Sequence, residues 1–211
     1  MPRILVFGAS ITYGAWDEEG GWTQRLRKFL DKKALENPDL YFRVFNLGIP
    51  GNTTEDLLKR FEFESIQRLR KDEDAVFIFG TGTNDSQFLT SKNALRILPE
   101  KFKENIQKLI DIAKKFSSKI VFLESTPVDE KETVPIPWNK DRSCKNENIQ
   151  RYNEIIKSIC KGNRIYFIGT FDEWKRLDYE KLLEDGLHPN SEGHKKIFET
   201  VKNFLTQNKI I

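Results

Sequence analysis

Only two histidines, His188 and His194, occur in the 211 residues, so chemistry that needs an imidazole near neutral pH must draw on one short neighbourhood. Cysteine is equally scarce. Cys144 and Cys160 read as lying on one helix, where a rise of ~1.5 Å per residue sets them about 24 Å apart, too far for a disulfide. With no C-x-x-C pair and no histidine cluster, there is no metal site to propose. No stretch approaches the ~20 apolar residues of a membrane span, and the run Ile4-Leu5-Val6-Phe7 falls short of the roughly 7–15 residues of an export signal's apolar core. The expectation is a soluble, cytoplasmic protein. Excess charge is missing too. A net charge of +3 with 32% charged residues gives a well-solvated surface without the basic stripe of a nucleic-acid binder. Neither Gly-x-Gly-x-x-Gly nor a phosphate loop follows any predicted strand, which counts against a nucleotide or flavin.

What is present is an alternation. Short apolar runs at 4–7, 42–45, 74–79, 119–123 and 164–168 read as strands. Amphipathic or well-capped segments at 22–35, 54–69, 99–116 and 146–160, and a last one marked by Ile197, Val201, Phe204 and Leu205, read as helices. Thr53 or Thr54, Pro99, and Asn190 or Ser191 supply helix starts, and Thr170 with Glu173 resembles a capping box for a brief helix near Trp174. Strand–helix alternation predicts one domain with a parallel sheet covered on both faces. The segment 125–141, with Pro127, Pro135 and Pro137, is expected to hold no regular element. Its apolar stretch Val134-Pro135-Ile136-Pro137-Trp138 suits either a pocket wall or a satellite hydrophobic cluster.

The first three strands end in glycine-bearing polar loops that carry Ser10, Gly51 and Asn84. Strands of a parallel sheet end on one side, so these loops can share a crevice with His188. There Ser10 is the candidate nucleophile, His188 the base that takes its proton, and Asp185, three residues earlier, the group that orients the ring. The backbone N–H groups of Ser10 and Gly51 and the side-chain amide of Asn84 are suited to an oxyanion. Each signal alone is ordinary: Asp185 to Asn190 could be a polar turn before a helix, and Asn84-Asp85 a turn pair. His194, the rival base, has Ser191 rather than a carboxylate three residues before it. Asp85 is expected to hold its loop.

In this order, Gly8-Ala9-Ser10-Ile11, Gly48-Ile49-Pro50-Gly51-Asn52, Gly82-Thr83-Asn84-Asp85, and Asp185-Gly186-Leu187-His188-Pro189-Asn190 with Gly193-His194 resemble the conserved blocks of the SGNH, or GDSL, hydrolases, over positions 8 to 194. The resemblance implies a single three-layer α/β/α domain with a five-stranded, flavodoxin-like parallel sheet of order 2-1-3-4-5. It also implies hydrolysis of small-molecule acyl esters or thioesters through an acyl-enzyme, without cofactor. The chain departs from the family at Ala9, where aspartate is usual, so a polar anchor of the nucleophile turn is missing or replaced. That leaves room for a ligand-binding member that has lost its activity. Phe88, Leu89, Ile136 and Trp138 are candidate acyl-pocket residues. A sugar O-deacetylase is the alternative substrate class, with Trp138 or Trp16 as the sugar platform. Activity should rise with pH as imidazole loses its proton near ~6.5.

Overall fold

Valine, isoleucine, leucine and phenylalanine occupy both faces of the central strands, the pattern of a sheet covered on two sides. The computed structural model describes residues 2–211. Its strands are β1 (Arg3–Gly8), β2 (Arg43–Gly48), β3 (Ala75–Gly80), β4 (Phe88–Leu89), β5 (Ala94–Leu95), β6 (Lys119–Leu123), β7 (Arg142–Ser143) and β8 (Tyr166–Ile168). Five of them form one parallel sheet in the order β2-β1-β3-β6-β8, which is 2-1-3-4-5 when that sheet's strands are counted in chain order.

Because successive side chains alternate, each strand feeds two cores. Leu5, Phe7, Phe77, Phe79, Ile120 and Phe122 point to one face, and Ile4, Val6, Val76, Ile78, Val121 and Leu123 to the other. The described residues hold eight α-helices, besides three short 3-10 turns: α1 (Ser10–Tyr13), α2 (Gly21–Glu36), α3 (Thr54–Arg68), α4 (Pro99–Ala113), α5 (Glu130–Thr133), α6 (Asn146–Asn163), α7 (Phe171–Lys175) and α8 (Ser191–Gln207). Leu57 and Phe61 of α3, Phe102 to Ala113 of α4 and Tyr152 to Cys160 of α6 close the first core. Trp22, Leu26 and Leu30 of α2, with Ile197, Val201 and Leu205 of α8, close the second. Phe7 and Phe79 stack at 5.9 Å, and Phe61 meets Phe7 edge-on at 4.9 Å. Such pairs add about 0.5–1.5 kcal/mol each beyond their buried area, and here they join β1 to β3 and to α3 just below the loops the strands carry.

After β1 the chain moves outward to β2, then returns to the other side of β1 as β3, so the carboxyl ends of β1 and β3 flank the point where strand order reverses. Open α/β sheets bind their ligands at that point. Among the described residues no helix is long and apolar enough to cross a membrane, and no group of three or more His, Cys, Asp or Glu side chains could hold a metal ion.

Four local expectations need correction. Cys144 is not on a helix with Cys160: it follows β7, two residues before α6, and both thiols are buried and free. The segment 86–98, which reads as a loop from sequence, carries β4 and β5, and β4 pairs with β5 and with β7 in a second, antiparallel sheet. The segment 125–141 contains the one-turn helix α5. Thr170 and Glu173 form no capping box; the Glu124 carboxylate instead accepts the N–H groups of Thr170 and Phe171 at 2.6 and 2.7 Å. A carboxylate from another strand end thus does what a local side chain was expected to do.

Candidate active site

The segment 183–189 turns back on itself: Leu183 bridges Pro189, and Glu184 N–H donates to the His188 carbonyl at 2.8 Å. Within this turn Asp185 divides its two oxygens. Oδ1 accepts the backbone N–H groups of Leu187 (3.0 Å) and His188 (2.7 Å), and Oδ2 receives the ring Nδ1 of His188 at 2.7 Å. Gly186 makes the turn possible, because its φ of +78° disfavours other residues and a Cβ would meet Glu132 at 2.5 Å. The far ring nitrogen of His188 lies 2.9 Å from Ser10 Oγ. Ser10 opens α1 directly beyond β1. The structure therefore brings Ser10, His188 and Asp185 into one hydrogen-bonded line. Burial pushes the Asp185 carboxyl up, but the hydrogen bonds from the ring and backbone of His188, the histidine's charge and the Leu187 N–H outweigh it and hold the group down to about 2.

His194 is elsewhere. It is fully buried on α8, with Nδ1 accepting Trp22 N–H at 3.3 Å and Nε2 facing the Ala15 carbonyl at 3.0 Å, which requires the proton on Nε2. Burial lowers its pKa against the pull of the Ala15 carbonyl and Asp17. Both nitrogens are engaged in holding α8 and α2 to the loop after α1.

Asn84 sits beyond β3 with its amide orientation fixed from both ends. Its Nδ2 donates to the Asn52 carbonyl at 3.0 Å, and its Oδ1 accepts from Gln87 Nε2 at 3.1 Å. Asn84, Asn52 and Ser10 border the same cavity. Gly51 has φ +81°, and a Cβ there would enter open space, so the left-handed backbone is what favours glycine. Its carbonyl accepts from Arg96 Nη2 at 3.0 Å, and Arg60 ties the same region together through the Gly8 and Leu47 carbonyls and Asn52 Oδ1. Sequence reasoning missed Gln87, Arg96 and Arg60. Only Gln87, three residues beyond Asn84, had a local cue.

Asp85 faces away from this cavity. Its Oδ1 accepts the N–H and hydroxyl of Thr54, the first residue of α3, at 2.9 and 2.6 Å, while Oδ2 has no hydrogen-bond partner among the described residues. Burial, only partly offset by Thr54 and by the charge of Arg96, pushes its carboxyl up to about 6. A buried acid whose folded pKa exceeds its unfolded value gives stability that is present at low pH and lost as pH rises through the folded value. Asp85→Asn keeps the acceptor for Thr54 without the buried charge. The variant should be more stable than the native chain at pH 8, by up to roughly 3 kcal/mol, and the gain should shrink by pH 5 and vanish near pH 4. Thermal melts at the three pH values check this.

The pocket residues expected from sequence separate. Trp138 is 54% exposed and stacks on the His188 ring at 5.6 Å. Ile136 is 1% exposed, in a satellite cluster with Val128, Cys144, Ile149, Phe171 and Leu187. The apolar stretch of this loop therefore serves both as wall and as anchor. Phe88 and Leu89 lie on β4 of the small sheet and, like Ile136, are not part of either cavity that Ser10 borders. One of these is a narrow, partly enclosed space of about 40 Å³, lined by Ala9, Trp22, Asn84, Thr126, Leu187 and Ile197 among others. The second is an open cleft of about 950 Å³ on the His188 side, walled by Tyr13, Trp16 and Trp138, with Gln24 and Asn46.

A five-stranded parallel sheet covered by helices on both faces, with a serine and a histidine meeting at its switch point, is a three-layer α/β fold with its candidate site where such sheets bind their ligands. The GDSL-like Lipase/Acylhydrolase family matches residues 6–196; the chain belongs to that family and is a carboxylic ester hydrolase. A multidomain esterase of Ruminococcus flavefaciens is 26% identical over 96% of the chain, which spans only 29% of that esterase's length. An acetylxylan esterase of Geobacillus stearothermophilus is 25% identical over 74% of the chain and 69% of its own length. In three dimensions the chain is similar to a lipase/acylhydrolase from Enterococcus faecalis, with a TM-score of 0.74 at 21% identity over 99% of this chain and 97% of that one.

Proposed function

We propose that the chain is a serine esterase that removes acetyl or similarly short acyl groups from carbohydrate-like alcohols. Ser10 Oγ attacks the ester carbonyl as His188 takes its proton, and the N–H groups of Ser10 and Gly51 with the Asn84 amide receive the oxyanion. His188 returns the proton to the departing alcohol, and water then repeats the two steps on the acyl-enzyme. The observation that carries the substrate class is the unequal space on the two sides of Ser10. The departing alcohol must lie toward His188, where the cleft is open and presents Tyr13, Trp16 and Trp138 at 57, 61 and 54% exposure. Aromatic faces beside the amides of Gln24 and Asn46 suit a ring that offers C–H surface and hydroxyls. The acyl group is left with the narrow, partly enclosed cavity of about 40 Å³, against about 950 Å³ on the His188 side, which favours a short chain. Similarity to an acetylxylan esterase supports the same reading.

A series of p-nitrophenyl acetate, butyrate and octanoate tests the acyl side, and release of acetate from acetylated xylo-oligosaccharides tests the alcohol side. From acetate to butyrate kcat/KM should fall about tenfold or more, because two added methylenes overpack a narrow site. Octanoate hydrolysed as fast as acetate would overturn the short-acyl assignment. Turnover of p-nitrophenyl acetate with no acetate released from the oligosaccharide would overturn the sugar.

A further inference from the structure

Trp16 holds a backbone conformation that needs a cause. Its φ is +68°, in the left-handed region that is sterically costly for a residue with a bulky side chain, and burial of the ring does not explain it, since the ring is mostly exposed. Both neighbours are pinned. The Ala15 N–H donates to the Ser10 carbonyl at 3.1 Å, and the Ala15 carbonyl accepts from His194 Nε2. The Asp17 carboxylate takes Arg25 through Nε and Nη2 at 2.9 and 3.0 Å, Ser191 Oγ at 2.9 Å and Gly21 N–H at 3.1 Å. Strained residues persist where their surroundings over-determine them, and here they do so on each side. The result is one hydrogen bond, from Trp16 Nε1 to Asp185 Oδ2 at 2.7 Å, onto the oxygen that faces His188. The indole also stands edge-on to the imidazole at 6.3 Å and lines the open cleft.

We propose that Trp16 is a positioning residue: its indole N–H fixes Oδ2 of Asp185 beside His188 while its ring walls the space of the departing alcohol. This rests on the roles given above to Asp185 and His188. Oδ1 is already held by two backbone N–H groups, so a second donor on Oδ2 leaves the carboxylate no freedom to turn away from the imidazole. An alcohol that packs against the Trp16 ring orders the same side chain that orders Asp185, and substrate contact is thereby joined to alignment of the base.

Two substitutions separate the two jobs. Trp16→Phe keeps an aromatic face and removes the N–H. It should lower kcat for p-nitrophenyl acetate about tenfold, the scale of one hydrogen bond to a charged group, with KM changed less than about twofold. Trp16→Gly removes both and releases the strained φ. It should melt no lower than the native protein, so that its loss of rate is not unfolding, and should also raise KM for acetylated xylo-oligosaccharides. With 15N-labelled indole, the Nε1–H resonance that disappears in Trp16→Phe should move in Asp185→Asn. An unchanged kcat in Trp16→Phe, or a resonance indifferent to Asp185→Asn, would overturn the proposal. If the native protein hydrolyses no ester, the esterase reading falls, and the resonance alone decides the Trp16 contact.

Discussion

Ser10→Ala is expected to lower turnover of p-nitrophenyl acetate at pH 8 by about 10⁴- to 10⁶-fold, the range found when the nucleophile of a serine–histidine pair is removed. Alanine offers no lone pair to attack the carbonyl, so the acyl-enzyme route closes and only oxyanion stabilisation and binding remain. The fold should not notice the change. Ser10 Oγ has one hydrogen bond, to His188 Nε2, and the capping of α1 runs through the Ser10 backbone carbonyl, which accepts Gly14 N–H and Ala15 N–H at 3.0 and 3.1 Å. A melting temperature within a few degrees of the native value, alongside lost turnover, therefore assigns the loss to chemistry. Persisting turnover would place the nucleophile elsewhere. Loss in both proteins would turn attention to Ala9, which borders the narrow cavity beside Ser10, at the position where the family usually carries aspartate.

The parts of the site that could be read from sequence are those whose geometry is local. Asp185 and His188 meet through a four-residue turn closed by Gly186, and glycines at the ends of β1, β2 and β3 announced loops that a parallel sheet must gather on one side. The alternation of apolar runs with helices likewise gave a parallel sheet covered on both faces, and the central runs, β1 and β3, are buried on both; the strand order came from the family resemblance, because an order depends on which strands pair and not on any one run. What sequence did not reveal depends on partners far along the chain. Trp16 reaches Asp185 across 169 positions only because Arg25, Ser191 and His194 fix its two neighbours. Ser143 lies in a strand because Phe88 pairs with it, and a two-residue ladder leaves no periodicity to read. Ile136 and Trp138 are two apolar residues on one loop, and nothing in their spacing told which would be buried. The Glu124 cap on α7 displaced a plausible local one for the same reason: its carboxylate comes from the end of β6.

Asp185→Asn should reduce kcat by about 10⁴-fold, and it tests the aspartate more cleanly than alanine does. Asp185 has two structural jobs. Oδ1 caps its own turn through Leu187 and His188 N–H, and Oδ2 receives His188 Nδ1 and Trp16 Nε1. Asparagine can keep an oxygen at the first position, so the turn survives, but its NH2 then occupies the second. There it can only donate, which forces His188 to present Nδ1 as acceptor and to carry its proton on Nε2, the nitrogen that must accept from Ser10. It also sets an N–H against the Trp16 N–H. The stability change has a predictable sign. A carboxyl held near 2 in the folded state, below its ordinary value, contributes stability that is present above about pH 4 and lost as pH falls toward 2. The variant should therefore be less stable than the native protein at pH 7, by roughly 2 kcal/mol, and the gap should close in acid. Activity that survives in Asp185→Asn with an unchanged pH profile would leave Asp185 as a turn cap alone. Activity that collapses while the turn's backbone amides keep their exchange protection would assign the loss to the oxygen facing His188, because the other oxygen's work has been left in place.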